Sequence, residues 1–127
     1  MNQLKEIINN SYSTLPKSQV LQITLDVCYQ QMKKASEKAK NINSETIVNL
    51  QKVELYSNIN DGLLEFTNGN RDFAKINIAK DSINVLNKLI ENETLEDLEN
   101  GIPAIQETIV NDVIVPHYLI EWSLNNL

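Results

Sequence analysis

The stretch PKSQVLQITLDVCYQQMKKASEKAK, residues 16–40, decides the fold. Apolar or small side chains recur in it at alternating steps of four and three residues: Leu21, Leu25, Cys28, Met32, Ala35 and Ala39. This spacing places them on one side of an α-helix, and the opposite side is polar or charged. We therefore predict a long amphipathic helix from Pro16 to Lys40 whose apolar side is covered by other helices.

The apolar spacing that follows predicts two more helices. A second helix covers residues 45–67, with Ser44 as its N-cap and with Gly69 in the left-handed conformation that often ends a helix. Gly62 lies inside this stretch, where a glycine weakens a helix by about 1 kcal/mol, so a bend there is compatible with the sequence. A third helix is predicted over residues 71–92.

The two ends of the chain predict shorter elements. Residues 1–10 have helical apolar spacing, but a helix this short must pack on other elements to persist. Thr94 is expected to cap a short separate helix and Pro103 to begin another, because proline fits a first helical turn. β-Branched residues before a proline predict local extension or a kink over 113–116, and the tail, 116–127, is predicted to dock as a final helix.

Together these elements predict an all-α fold, an antiparallel up-and-down bundle of four to five helices with a short N-terminal helix or flap. The chain has 127 residues, of which 42% are hydrophobic, and this is enough for one domain with its own core. Three glycines and three prolines are too few for the turns of an all-β fold. We expect residues 1–127 to form a single helical-bundle domain, with 1–15 as a movable N-terminal segment and 116–127 docked on the bundle.

The charge balance excludes some classes of partner. Seventeen acidic against 11 basic residues give a net charge of -6, which repels phosphate backbones, so nucleic acid is not an expected partner. No apolar stretch approaches the roughly 20 residues of a membrane span, and the N-terminus lacks the pattern of a secretory signal. The single cysteine, Cys28, predicts a buried thiol in a cytoplasmic protein. We expect a protein partner, with monomer and homodimer both open.

Residues typical of catalysis and metal binding are scarce. There is no glycine-rich phosphate loop, no paired-cysteine motif and only one histidine. His117 and Glu121, four residues apart, are the minimum for a metal half-site, but a solvated pair or a helix-end contact explains them better. The acidic run from Glu91 to Glu99 is typical of a solvated helix start. We expect no catalytic residue, no metal and no cofactor.

The third predicted helix has a wider apolar surface than one packing contact needs. Its main stripe is joined by a second stripe that contains Ile78, Val85 and Leu89. Such a helix either packs on two sides or leaves a groove for a partner. Val48 and Leu55, on the second helix, are the candidates for the facing wall of that groove.

The long helix resembles the first long helix of the FliS-type flagellin export chaperones, which are small cytosolic helical bundles of about this length. That helix has a proline near its start, an apolar run, a Leu-Tyr-Asp-Gly signature and a lysine-rich end with alanine. The residues at the corresponding positions here are Leu15-Pro16 at the start, Val20, Leu21 and Ile23 in the apolar run, Leu25-Asp26 within Thr24-Leu25-Asp26-Val27 at the signature, and Lys33 with Ala35 near the end. The signature's tyrosine and glycine are replaced by Leu25 and Val27.

The rest of the chain is similar to the family in part. Residues 49–52, Leu63 and Leu64 are similar to its second helix, and residues 92–99 to the acidic stretch before its last helix. The family's tryptophan near the end of its last helix has no counterpart before Asp112, and the tail from Val113 is additional. The resemblance is carried mainly by residues 15–40.

The resemblance implies a chaperone that binds the disordered C-terminal segment of flagellin, or of a similar secreted filament protein, and prevents premature assembly. In physical terms, an apolar groove between helices receives an amphipathic client segment that becomes ordered on binding. The candidate binding residues are Val48, Leu55, Ile78, Val85 and Leu89. The N-terminal segment is a candidate to fill the same groove when no client is present.

Two other classes of function stay open on the sequence. One is a small acidic helical interaction module, such as an immunity protein, an antitoxin or a phage or secretion adaptor, that binds and neutralises a basic partner protein. The other is an enzyme or metal protein that uses His117, Glu121 and the acidic run. A binding protein without enzymatic activity is the expectation.

Overall fold

A computed structural model describes residues 2–127, and it confirms the all-α prediction, with no strand in that range. The helices are α1 (Asn2–Tyr12), α2 (Lys17–Ala39), α3 (Thr46–Leu64), α4 (Phe73–Asn100), α5 (Pro103–Ile109) and α6 (Val115–Asn126). A 3-10 turn, Glu65–Thr67, follows α3, and a π-helical turn, Val110–Ile114, joins α5 to α6. No helix in the described part of the chain is both long and apolar enough to cross a membrane.

Helix α2 is the long amphipathic helix that the spacing of residues 16–40 predicts. It is continuous, begins directly after Pro16 and ends at Ala39. Leu21, Cys28 and Ala35 on its apolar side are buried in the main core cluster. The prediction for this element is confirmed, with each end within one residue of its expected place.

Helices α2, α3, α4 and the joined α5–α6 form an antiparallel up-and-down bundle. Helix α3 packs between α2 and α4, and α6 contacts both α2 and α4. The directions follow from two contacts between α2 and the last helix: Thr24 bonds to Ser123, whereas Gln31, two turns further along, bonds to Asp112. As α2 advances, the last helix therefore runs backwards beside it.

Helices α3 and α4 cross very closely at Gly62. A Cβ atom at this position would lie 2.4 Å from the Cβ atom of Ala79 and 3.0 Å from the carbonyl oxygen of Lys75. The glycine does not end α3, which continues to Leu64. Its missing side chain instead allows two helix backbones to approach.

Two predicted helix caps are wrong, because neighbouring polar groups satisfy the ends differently. Ser44 does not cap α3; the backbone there is tied by Asn43, which accepts from the N–H of Glu45. Gly69 is not left-handed, since no glycine in residues 2–127 has a positive φ. The buried carboxylate of Glu65 instead accepts from the N–H of Asp72, whose own side chain caps α4.

The predicted break before Thr94 is also wrong, and α4 runs on to Asn100. The hydroxyl of Thr94 donates to the carbonyl of Ile90 one turn back, so the side chain bonds within the helix instead of capping a new one. Beyond it, the carbonyl of Leu98 accepts from Gln106 at 2.9 Å, which fastens the end of α4 to α5. The start of α5 at Pro103 is as predicted.

The region before Pro116 is helical, so the predicted extension is wrong, whereas the predicted alternative, a local kink, is compatible with a π-helical turn. A π-helical turn over Val110–Ile114 accommodates the proline, which has no N–H to give to the carbonyl of Asp112. The side chain of Gln31 donates to that carbonyl instead, at 3.1 Å. A residue of α2 thus supplies the hydrogen bond that the proline removes.

The tail and the N-terminal helix pack on each other. Trp122 donates from its indole N–H to the side chain of Asn9 at 2.8 Å, and its ring lies 6.3 Å from that of Tyr12. Ile8 is buried in a second core cluster with Leu119. Helix α1 is therefore held against the outer side of α6.

Candidate functional site

The one histidine of the chain lies inside the bundle. Only 1% of His117 is exposed, and its ring lies between α6 and α3. Its Nδ1 atom is 2.6 Å from the carbonyl oxygen of Val113, and its Nε2 atom is 2.6 Å from the hydroxyl oxygen of Tyr56. Of the two expected explanations, a solvated pair or a helix-end contact, the first is wrong for His117, because Tyr56 offers a buried partner from a different helix.

These two bonds fix the tautomer of the ring. A carbonyl oxygen can only accept, so Nδ1 carries the proton and donates it to Val113, and Nε2 accepts from the Tyr56 hydroxyl. Burial lowers the pKa of His117 to about 4, and it raises that of Tyr56 well above its ordinary range. Both side chains are therefore neutral near pH 7.

The half-site of His117 and Glu121 does not form. Both ring nitrogens of His117 are bonded within the protein, and Glu121 lies 3.5 Å from Lys5 of α1 in an ion pair. Among residues 2–127 no three histidine, cysteine, aspartate or glutamate side chains converge in a way that could hold a metal ion.

The thiol of Cys28 is buried, as the sequence predicts. It lies 3.4 Å from the carbonyl oxygen of Tyr56 as a hydrogen-bond donor, and burial raises its pKa to about 12. A thiol in this state is neutral and shielded from reagents, so it acts as a small core side chain.

The five predicted partner-binding residues lie on the two helices that meet at the α3–α4 boundary, with Val48 and Leu55 on α3 and Ile78, Val85 and Leu89 on α4. Ile78 and Val85 are exposed by 51% and 47%, and Val48, Leu55 and Leu89 are partly buried. The exposure of Ile78 and Val85 shows that α4 is not covered on a second side at these positions. We call this boundary the α3–α4 groove, defined by Val48, Leu55, Ile78, Val85 and Leu89.

Two contacts set the alignment of the groove. Asn58 donates to Ser82 in the middle of the helix pair, and Lys52 reaches Glu93 at 2.7 Å nearer its end. Leu55 lies between the two contact positions on α3, and Val85 lies between them on α4. At 3.6 residues per turn, Leu55 shares the side of Asn58, and Val85 that of Ser82, so the two apolar side chains flank the same stretch.

The N-terminal helix does not fill the α3–α4 groove in this structure. Helix α1 packs on α6, through Ile8 and through the bond between Asn9 and Trp122. The hypothesis that residues 1–15 occupy the client groove is therefore wrong for this conformation. The sequence shows the apolar side of α1 but not which of two apolar surfaces receives it.

The acidic run is part of α4 and not of a turn. Glu93 pairs with Lys52, whereas the remaining acidic residues of the run are exposed on the helix surface and form no ion pair with any described residue: Glu91, Glu96, Asp97 and Glu99. Sequence patterning identified the run but not the ion pair, because Lys52 is 41 residues away.

Comparison of the chain with protein-family models, with curated proteins and with solved structures found no match. The resemblance to the flagellin export chaperones stays a prediction.

Proposed function

We propose that this chain is a cytoplasmic export chaperone that holds the disordered C-terminal segment of flagellin, or of a similar secreted filament protein, in the α3–α4 groove. The observation that supports it is the row of half-exposed apolar side chains on α4. Ile78 and Val85 recur along the helix with Leu89, which is the spacing that an amphipathic client helix matches.

The groove fits a client that folds on binding. The two helices that form it are tightly packed, because Gly62 and Ala79 bring α3 and α4 into close contact behind Ile78. Its rim is polar, with Asn58, Asp61 and Lys75 beside Ile78. A firm apolar strip with a polar rim favours a helix with one apolar side and disfavours unspecific aggregation.

The substitution Val85→Asp is expected to weaken client binding at least tenfold. Binding would bury the new carboxylate in an apolar contact without a partner, and this costs more than the roughly 1.4 kcal/mol that a tenfold loss represents. The fold should be kept, because Val85 is half exposed. The measurement is fluorescence anisotropy with a labelled C-terminal flagellin segment, together with circular dichroism of the variant.

A matched control is Leu95→Asp, on the same helix. Leu95 is 54% exposed but lies roughly 100° around the helix from the middle of the Ile78, Val85 and Leu89 row, at 3.6 residues per turn. This variant should bind like the wild type. Equal losses in both variants, lost helicity in Val85→Asp, or no binding of the flagellin segment by the wild type would contradict the proposal.

A second candidate function is favoured by the unpaired acidic side chains on the last third of α4. An acidic module that neutralises a basic partner would use them for electrostatic attraction. Binding by this route weakens steeply as salt rises, and it survives Val85→Asp but not the joint neutralisation of Glu96 and Asp97. The two proposals therefore give opposite results with the same set of variants.

A further inference from the structure

A cleft of about 250 Å³ lies at the end of the bundle where the π-helical turn faces α2, α3 and α4. Its walls come from all four bundle helices, so its shape is set by the core packing and not by a loop. His117 and Tyr56, bonded to each other, form part of its lining. The cleft is separate from the exposed row of Ile78 and Val85, which do not line it.

The cleft is positive in a protein of net charge -6. Lys34 and Lys38, one turn apart on α2, line it, and neither forms an ion pair with a described residue. Lys52 also lines it, but Glu93 neutralises that charge at 2.7 Å. Two of the residues that line the cleft therefore carry uncompensated positive charges, which attract an anion.

Asn49 also points to a ligand in the cleft. It lies in the first turn of α3, lines the cleft and is only 5% exposed. No hydrogen bond of its side chain to another described residue is found, whereas Gln31, which also lines the cleft, donates to the carbonyl of Asp112. No fully buried side-chain nitrogen or oxygen atom in residues 2–127 lacks a partner, so the atoms of the Asn49 amide are open to the cleft, where they offer a donor and an acceptor.

Part of the wall is apolar. Ile90 of α4, Val113 of the π-helical turn and Ala35 of α2 line the cleft together with the polar groups. Donors in one part and apolar surface in another match a molecule with a charged end and a short hydrocarbon body.

We propose that this cleft binds a small organic anion, with its carboxylate or phosphate group held by Lys34, Lys38 and the amide of Asn49 and its apolar part against Ile90 and Val113. This binding site is independent of the proposed chaperone function. It gives the chain a small-molecule ligand in addition to any protein partner.

The test is a titration followed by ¹H–¹⁵N NMR at constant ionic strength, with acetate, butyrate and inorganic phosphate as separate probes. We expect saturable shifts of the Asn49 side-chain amide and of the His117 backbone amide. Butyrate should bind more tightly than acetate, by roughly fourfold for each methylene that it buries. Tighter binding of inorganic phosphate than of butyrate would identify the ligand's charged end as a phosphate.

The substitutions Lys34→Gln and Lys38→Gln, made together, should weaken binding at least tenfold. The control is Lys33→Gln with Lys40→Gln, which removes the same charge near the same end of α2 but outside the cleft lining. Asn49→Ala should also weaken binding while leaving the thermal midpoint nearly unchanged, because no bond within the protein is lost. Equal losses in both double variants, or shifts that do not saturate with any probe, would overturn the proposal.

Discussion

Replacing Gly62 with valine is expected to destabilise the bundle by about 3 kcal/mol or more, the upper end of what overpacking in a protein core costs. The first added atom already lies 2.4 Å from the Cβ atom of Ala79 and 3.0 Å from a backbone oxygen of α4. Both neighbours belong to a helix and not to a flexible side-chain end. Helices α3 and α4 must therefore separate, and contacts along the whole pair weaken.

The measurement for Gly62→Val is urea unfolding followed by circular dichroism, with Gly69→Ala as the control. Gly69 has no atom within 4 Å of the position of a Cβ, and its φ is not positive, so alanine there should be neutral or stabilising by up to about 1 kcal/mol. The double variant Gly62→Ala with Ala79→Gly should recover part of the stability that Gly62→Ala alone loses, because the second change removes the nearest clashing atom. A Gly62→Val protein as stable as the Gly69→Ala protein would exclude the close crossing.

The role of Gly62 was beyond the reach of sequence patterning. Helix propensity is a local quantity, and on that scale a glycine inside α3 only weakens the helix. Its contact with Ala79 is 17 residues away and depends on how α4 crosses α3. The same limit explains Thr94, whose hydroxyl can cap a new helix or bond back within an existing one.

The apolar side of α2 and the main stripe of α4 were predictable because burial follows helical periodicity. Leu21, Cys28 and Ala35 on α2 and Ile83 and Leu86 on α4 are all buried. The second stripe on α4 was also visible, but whether it packs inside or stays exposed depends on the number of layers in the bundle. Periodicity predicts where an apolar side lies on its helix and not what covers it.

The two candidate sites differ in how far they could be predicted from the sequence. The row of Ile78, Val85 and Leu89 belongs to one helix and could be found from its spacing. The cleft and the bond between His117 and Tyr56 join residues of separate helices, 61 positions apart in the case of the pair. No pattern within a single helix carries that information.

The free energy of unfolding should fall by about 2 kcal/mol when the pH is lowered from 7 to 5. The neutral, buried His117 accounts for this loss, and its full contribution to the free energy of unfolding is about 3 kcal/mol. Burial is the main cause, since it lowers the pKa of His117 to about 4 from its ordinary 6.5, and nearby Lys52 adds to the effect. Because the folded pKa lies below the unfolded one, the unfolded chain binds the proton first. The contribution is therefore complete above pH 6.5, falls as the pH decreases towards 4 and then levels off.

Protonation of His117 costs more than the burial of a charged ring, because it also disrupts the hydrogen bond with Tyr56. The hydroxyl of Tyr56 donates to Nε2 at 2.6 Å, and a protonated Nε2 has no lone pair to accept that bond. The hydroxyl would have to turn its proton away and accept instead, and no other described residue bonds to this hydroxyl. Protonation at low pH therefore disrupts the hydrogen bond that joins α3 to α6, and it also places a charge in the core.

Two measurements separate His117 from the carboxylates that also titrate in acid. The chain has one histidine, so its ring proton resonance in NMR is unambiguous and should titrate near pH 4 in the folded protein. The variant His117→Gln has no group that titrates between pH 5 and 7 at this position, so it should lose most of the dependence of unfolding free energy on pH in that window. Two results would contradict this prediction: a ring that titrates near pH 6.5, or an unchanged pH dependence in the variant. Either would mean that the imidazole is solvated and that Tyr56 does not hold it, since only a buried and bonded ring can keep a pKa near 4.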